Sequence, residues 1–462
     1  MLALSLREIA DIVGGSVTAD VADVVVSGPA YVDSRRPQPG GLFVAVVGER
    51  VDGHEYAAGA HAVLGTRPTE APTVVVADPV VALGRLARHV VDRLVAGGTT
   101  VLALTGSQGK TGTKDYLAQV LAAAGPTVAT AGNHNNEIGV PLTVLTADAA
   151  TRYLVVEMGA RGVGHIAYLC EIAPPQVAAV LNVGTAHIGE FGSREAIAAA
   201  KGEIVEALPP SGTAVLNADD PLVAAMATRT AAAVLTFGAE HADATVRASD
   251  VDLDDLGRPE VTLAVGGQRT RLRLPHSGLH QVENAAAAAA MALAAGVEFA
   301  MIGPALEAAA TASPMRMELH ERSDGLLVIN DAYNANPASM TAAVETLAEI
   351  GARRGRRTVA VLGEMRELGD QAHAGHVEVG RAAAALGVGV VVVVGAPAAG
   401  IADGLRGVPE WAGEVIVTAG RDEAAAWVRE NVAGADVVLV KASRGAALET
   451  IADGLLEGDH KP

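Results

Sequence analysis

Thr105-Gly106-Ser107-Gln108-Gly109-Lys110-Thr111 decides how this chain reads. Ahead of it stands Thr100-Val101-Leu102-Ala103-Leu104, a short apolar run with the content of a buried strand. Behind it a helix-like segment runs to Ala124 and stops at Gly125-Pro126. Strand, glycine loop and helix in that order make a cradle for phosphate. The glycines let backbone N–H groups approach an anion, and the helix N-terminus adds partial positive charge. Lys110 is placed to reach terminal phosphates, and the Thr111 hydroxyl to ligate Mg²⁺. The loop is tighter than the usual pattern, because only Ser107 and Gln108 separate Gly106 from the Gly109-Lys110 pair.

The rest of the chain sets limits on that reading. Its 462 residues are too many for one core and predict several domains. Half of them are hydrophobic and 19% are charged, which excludes a disordered chain. The net charge is −19 and no basic tract offsets it, so nucleic acid is excluded as the main partner. An anionic substrate must then be held by local donors rather than by the overall field. The single cysteine, Cys170, excludes an internal disulfide and reads as a small buried apolar residue. Met1 to Ala10 carries charge early and predicts a short amphipathic helix rather than a signal peptide. The apolar run Val388 to Val394 is too short to cross a bilayer. A cytoplasmic protein with no membrane insertion is expected.

Three blocks follow from the patterning. Residues 1–98 mix short β-rich runs with turns and predict a small α/β domain, with a helix before Leu64 and a strand at Val74-Val75-Val76. Asp33-Ser34-Arg35 lies in a polar turn within it. Residues 99–312 alternate strands at 153–157, 176–182 and 213–217 with helical segments, which predicts a doubly wound parallel sheet. Residues 240–275 read as a β-insertion in this block, followed by a helix that opens near Gln281 and carries Asn284. Residues 313–462 alternate again, with strands expected at 326–330, 358–362, 388–394, 415–418 and 436–440. They predict a second doubly wound, Rossmann-like domain. Thr311-Ala312-Ser313-Pro314 is the expected hinge.

In parallel sheets ligands bind beyond the carboxyl ends of the strands. Thr111, Glu157 and His187 all fall at or just after such ends. A strand-end carboxylate or a lone histidine is by itself commonly structural; the phosphate loop in the same sheet makes them candidates. Asn133-His134-Asn135-Asn136-Glu137-Ile138-Gly139 and Asn330-Asp331-Ala332-Tyr333-Asn334-Ala335-Asn336-Pro337 are dense polar loops, the second directly after a predicted strand.

Together these stretches carry a resemblance. The glycine loop, Asn133 to Leu142, Glu157-Met158-Gly159, Ala186-His187, Lys201-Gly202-Glu203, Asn217-Ala218-Asp219, Asp331 to Pro337 and Lys441-Ala442-Ser443-Arg444 resemble, in order and spacing, the Mur ligase family along essentially the whole chain. Asp331 to Met340 and Leu362-Gly363-Glu364-Met365-Arg366-Glu367-Leu368-Gly369 point to the branch that adds D-alanyl-D-alanine. The Asp-Asn-Pro-Arg motif of the diaminopimelate-adding branch is absent. The resemblance implies a monomeric, ATP- and Mg²⁺-dependent amide ligase that joins the dipeptide to a UDP-N-acetylmuramoyl-tripeptide through an acyl phosphate. It implies a UDP-binding N-terminal domain with Ser34 and Arg35, a central P-loop ATPase domain, and a C-terminal Rossmann-like domain. ATP would be held by Thr105 to Gly112, Asn135, Asn284, Arg316 and Asp331. Asn133, Asn136, Tyr333, Asn334 and Asn336 would meet substrate. Thr111, Glu157, His187 and a carbamylated Lys201 would hold metal, with Lys110, Lys201 and His187 as the catalytic set. Gln281, Gly112, Met315 and Ala442 depart from the family's usual residues. The competing readings are a sister ligase, a folylpolyglutamate-type ligase, and a nucleotide switch without ligase activity.

Overall fold

The computed structural model describes residues 1–48, 51–184 and 188–457, the side chains of Ile188 and Glu190 excepted. His187 therefore lies outside the described residues.

The chain opens with a capping box. The Ser5 hydroxyl accepts from Glu8 N, and the Glu8 carboxylate accepts from Ser5 N at 2.7 Å. This starts the amphipathic helix Leu6–Val13, whose Leu6, Ile9, Ala10 and Val13 face inward. A four-stranded parallel sheet follows, in the order Ala30–Tyr31, Leu42–Val44, Ala62–Gly65, Thr73–Val75. The helix expected before Leu64 is reduced to one 3₁₀ turn, Gly53–Tyr56. Gly59 at φ +78° and the strand that begins at Ala62 leave no room for more. The helix Pro79–Ala96, capped by Asp78 and begun on proline, carries the chain into the next unit.

The central sheet has nine strands, in the order Gln268–Arg273, Pro259–Val265, Val246–Leu253, Ala233–Gly238, Thr213–Asn217, Val177–Val180, Thr100–Thr105, Tyr153–Glu157, Thr127–Ala129. Pairing is parallel from Thr127–Ala129 through to Val246–Leu253 and antiparallel in the last two ladders. The region 240–275 is thus the extension of this sheet rather than an insertion beside it. Val246, Ala248, Val261, Leu263 and Leu272 alternate inward and pack in one core with the helix His280–Ala294. That helix is buried from Ala285 to Ala292. Alanine on that many positions lets it lie close to both the sheet and the helix Lys110–Ala124.

The third sheet runs Glu318–Glu321, Leu327–Asp331, Asp436–Lys441, Arg357–Leu362, Val390–Val394, Glu414–Thr418. All ladders are parallel except the first. Val390–Val394 is valine throughout and buried throughout, as a central strand covered on both faces requires. The protein is therefore an α/β chain of three domains, its two larger sheets doubly wound. Among the described residues no helix is long and apolar enough to cross a membrane.

Candidate active site

The carboxyl ends of Thr100–Thr105 and Tyr153–Glu157 in the second sheet, and of Leu327–Asp331 and Asp436–Lys441 in the third, open on one cleft of about 770 Å³. The phosphate loop forms its floor. Gly109 sits at φ +78°, and the helix Lys110–Ala124 begins directly after it with no side-chain cap. The helix's first N–H groups are left for an anion. Lys110 lines the cleft, and its Nζ donates to Gly106 O at 2.7 Å. Burial pushes its pKa down, the nearby Glu157 charge opposes that shift, and Arg316 adds to it.

Glu157 ends the neighbouring strand and is buried. Its two oxygens accept from the Thr111 hydroxyl at 3.0 Å and from Asn135 Nδ2 at 2.8 Å. A hydroxyl and a carboxylate held this close are the hard oxygen donors that Mg²⁺ takes, with water and phosphate completing its shell. Among the described residues no three His, Cys, Asp or Glu side chains converge. The donor set thus fits an ion that draws much of its coordination from a bound substrate. The helix Arg194–Glu206, capped by the Ser193 hydroxyl on Ala196 N at 3.1 Å, brings Lys201 to the same cleft. Lys201 is 5% exposed. Burial, and then the charge of Lys110, hold its amine well below the usual lysine range.

One part of the loop's support was missed from sequence. Ser107 N donates to Asn182 O at 3.1 Å and Gln108 N to Asn182 Oδ1 at 3.0 Å, while Asn182 Nδ2 returns a bond to Gln108 O at 3.2 Å. The N–H groups of Ser107 and Gln108 are therefore engaged by the adjacent strand end, and those beyond them are the ones left for phosphate. The Ser107 hydroxyl accepts from Gly184 N at 2.8 Å. The available signal was a polar residue at the carboxyl end of the strand paired with Thr100–Thr105.

Asn284 packs behind the loop. Its Oδ1 accepts from the Thr113 hydroxyl at 3.3 Å and its Nδ2 donates to Gln281 Oε1 at 3.2 Å. A Cβ on Gly109 would lie 2.5 Å from Asn284 Oδ1, and one on Gly112 would lie 2.8 Å from Asn284 Nδ2. This explains glycine at 112. We expect Gly109→Ala, which also strains the left-handed backbone, to weaken nucleotide binding at least about tenfold, or ~1.4 kcal/mol. Calorimetric titration with ADP checks it.

Across the cleft, the Arg316 guanidinium stacks over the Tyr333 ring at 4.2 Å. Asp331 Oδ2 accepts from Lys441 Nζ at 2.5 Å and its Oδ1 from Met317 N at 3.1 Å; Lys441 also donates to Asn334 O at 2.9 Å. Asn336 Oδ1 caps the helix Pro337–Arg354 through Ser339 N at 2.9 Å. Asn136 Oδ1 accepts from Gly139 N at 2.9 Å. Asn133, Asn135, Asn136, Tyr333, Asn334 and Asn336 all line the cleft. Four of the residues selected from sequence do not. Thr105 is fully buried and Gly106 lies against Leu181 beneath the loop. Ser34 and Arg35 lie past the end of Ala30–Tyr31, where Arg35 Nε donates to Asp33 at 2.8 Å.

A phosphate loop facing a second α/β unit across one cleft is the layout of a nucleotide-using enzyme with a further substrate to place. Comparison with known proteins agrees. Residues 104–292 match the Mur ligase middle domain, and residues 315–444 match the Mur ligase, glutamate ligase domain. The chain is 45% identical to the UDP-N-acetylmuramoyl-tripeptide–D-alanyl-D-alanine ligase of Mycobacterium tuberculosis (strain H37Rv), over 99% of each chain. A crystal structure of MurF from Acinetobacter baumannii is similar with a TM-score of 0.87 at 32% identity, covering 98% of this chain and 99% of that one. MurF ligase from Thermotoga maritima in complex with ADP is similar with a TM-score of 0.79 at 30% identity, covering 94% and 98%. The chain belongs to the Mur ligase family.

Proposed function

We propose that this chain joins D-alanyl-D-alanine to the terminal carboxylate of a UDP-N-acetylmuramoyl-tripeptide at the cost of ATP, in the cytoplasm. The observation that carries the reading is the single cleft into which the Lys110–Thr111–Glu157 cluster and the Arg316–Tyr333 and Asp331–Lys441 pairs all open. Whole-length similarity to ligases of that name supports it. Domain limits at 98/99 and 312/313 are part of the proposal; each of the sheets lies wholly within one block.

A carboxylate is a poor electrophile, so it must be activated before an amine attacks it. The N–H groups at the start of Lys110–Ala124 hold the phosphate chain, and Lys110 Nζ leaves Gly106 O to neutralise the transferring group. Asn284 backs the loop, and Arg316 with Tyr333 supplies a flat surface for the nucleoside. Thr111 and Glu157, with His187 and a carbamylated Lys201, would hold Mg²⁺, which when bound offsets charge on the phosphoryl oxygens. Transfer of the γ-phosphoryl group to the peptide carboxylate gives an acyl phosphate. The dipeptide amine then adds to its carbonyl, and phosphate leaves from the tetrahedral adduct. The third sheet closes over the second to keep water from the acyl phosphate.

The test is phosphate release. It should require both a UDP-muramoyl tripeptide and D-alanyl-D-alanine, and stop when either is omitted. Release that ignores the dipeptide would favour a nucleotide switch.

A further inference from the structure

The domain that carries the third sheet is tied to the central one by more than its linker. The strands Val246–Leu253 and Pro259–Val265 are joined by a tight turn. Asp254 builds it: its carboxylate accepts from Leu256 N and Arg258 N, both at 2.9 Å, and from Arg258 Nε at 2.7 Å. The tip so held is seated on the helix Pro337–Arg354. Leu256 packs against the core of the third domain, and Asp255 Oδ2 lies 2.8 Å from Arg354 Nη2. A Cβ on Gly257 would lie 3.1 Å from Ile350 Cγ1. Gly257, at φ +68°, is thus required by its own backbone and by the closeness of that helix.

The tip also meets the nucleotide side. Gly257 O accepts from Gly278 N at 2.8 Å, and Gly278 O accepts from Gln281 N at 3.1 Å, at the start of the helix that sets Asn284 behind the phosphate loop. The linker is clasped nearby. Thr311 Oγ1 is 3.4 Å from Nε2 of His276, two residues before Gly278. Ala310 N donates to Gln119 Oε1 at 2.7 Å, and Gln119 Nε2 to Ala310 O at 3.0 Å. A body on one covalent tether swivels in any direction, and a second fixed point leaves it one axis. The helix Pro337–Arg354 has 18 residues and so spans about 27 Å. Its seat is at the carboxyl-terminal half, while Asn336 and Ser339 at its other end line the cleft. A small rotation at the seat is therefore a large displacement in the cleft. Elsewhere the two domains meet at Gly189, where a Cβ would lie 3.0 Å from Gly369 N.

We propose that the tip, residues 254–257, is a second pivot beside the linker. It stays seated as the third domain opens and closes, while the Gly189–Gly369 contact parts. Asp255 and Leu256 are then positioning residues for the step in which that domain presents the dipeptide. This rests on the ligase reading above.

The experiment loosens the pivot and then fixes it. Leu256→Ser should raise KM for D-alanyl-D-alanine on the order of tenfold, with the affinity for ADP unchanged. Asp255→Asn should act in the same direction more weakly, and Asp255→Glu should behave as the parent. Asp255 is exposed, so its variants should melt with the parent. The double variant Asp255→Cys, Arg354→Cys loses the ion pair and should show the raised KM. Joining its thiols with a short bismaleimide, which replaces the reach of the arginine, should bring KM back towards the parent value and leave kcat intact. Cys170 does not compete, because it is buried and its thiol is pushed up to about 12. A cross-link that stops turnover overturns the proposal, since the tip must then leave its seat during the cycle. Unchanged dipeptide KM in the loosened variants overturns it too, as does an equal loss of ADP affinity, which would make the tip a structural contact only. These outcomes leave the ligase reading standing, whereas a parent enzyme that ligates nothing overturns that reading.

Discussion

Lys110→Ala should lower ligation by on the order of 10³-fold while the protein stays folded. The argument begins from what the side chain does before any substrate arrives. Its Nζ bonds to Gly106 O at 2.7 Å and more loosely to Ser107 O at 3.5 Å. Those bonds close the loop on itself and contribute only about 1 kcal/mol, so the melting temperature should move by a few degrees at most. The loop's shape is held elsewhere, by the three bonds between Asn182 and Ser107–Gln108. In the proposed reaction the same ammonium is the flexible cation on the loop that would follow charge onto the transferring oxygens. Removing a preorganised donor of that kind costs on the order of 10²–10³ in turnover, and a full charge sits at the upper end. Lys110→Arg should recover little, because a planar guanidinium does not enter a slot shaped for a compact ammonium. Single-turnover formation of acyl phosphate, read beside a thermal melt, separates the two effects. Turnover near the parent value in a folded variant would remove Lys110 from the phosphate site.

What could be read in the sequence was local. The strand Thr100–Thr105, the turn at Gly109 and the helix to Ala124 announce themselves through a run of apolar residues, a glycine and a stop at Gly125-Pro126, and all three stand where they were expected. Glu157 was legible because it ends a strand. The role of Asn182 was not, because it depends on which strand pairs with Thr100–Thr105 and in what register: Val180 opposite Thr105 puts Asn182 beside the loop. The same reason hid the fate of residues 240–275. Their alternation showed strands, but only pairing could show that they prolong the central sheet through Phe237 and Val246. Asp331 was selected as a nucleotide contact, and the sequence also held Lys441, 110 residues on. Their adjacency follows from the parallel ladder that sets Asp331 against Lys441. Asn336 and Asn136 show another limit. Each lines the cleft as expected, and each also caps or turns its own backbone, a use that composition cannot separate from ligand binding.

Lys201→Ala should lose most activity, on the order of 10²-fold or more, and recover part of it in short carboxylic acids. A lysine ordinarily stays cationic to about pH 10.4, and a buried cation beside a metal site is unfavourable twice over, through desolvation and through repulsion. Lys201 is 5% exposed, and among the described residues no carboxylate pairs with it. Its pKa is lowered first by burial and then by Lys110. The direction matters. A lowered pKa means that the folded protein holds the neutral amine at pH values where the unfolded chain would be protonated. Burial of this group therefore costs stability that grows as pH falls from about 10.4 through that window and is complete below the folded value, so removing the side chain should not lower the melting temperature. The neutral amine is also the form that adds CO₂. The product is an anionic oxygen donor on a stem held by the Ser193-capped helix, facing the cleft that contains Thr111 and Glu157. Formate or acetate can enter the space left by Lys201→Ala and offer the same oxygen. Carbon-13 NMR of the parent under labelled bicarbonate should show one carbamate resonance that disappears in Lys201→Ala, a readout independent of turnover. The resonance should fade on acidification, as the amine is reprotonated. Full activity of Lys201→Ala at physiological Mg²⁺, or the same carbamate resonance in parent and variant, would end the role proposed for this residue.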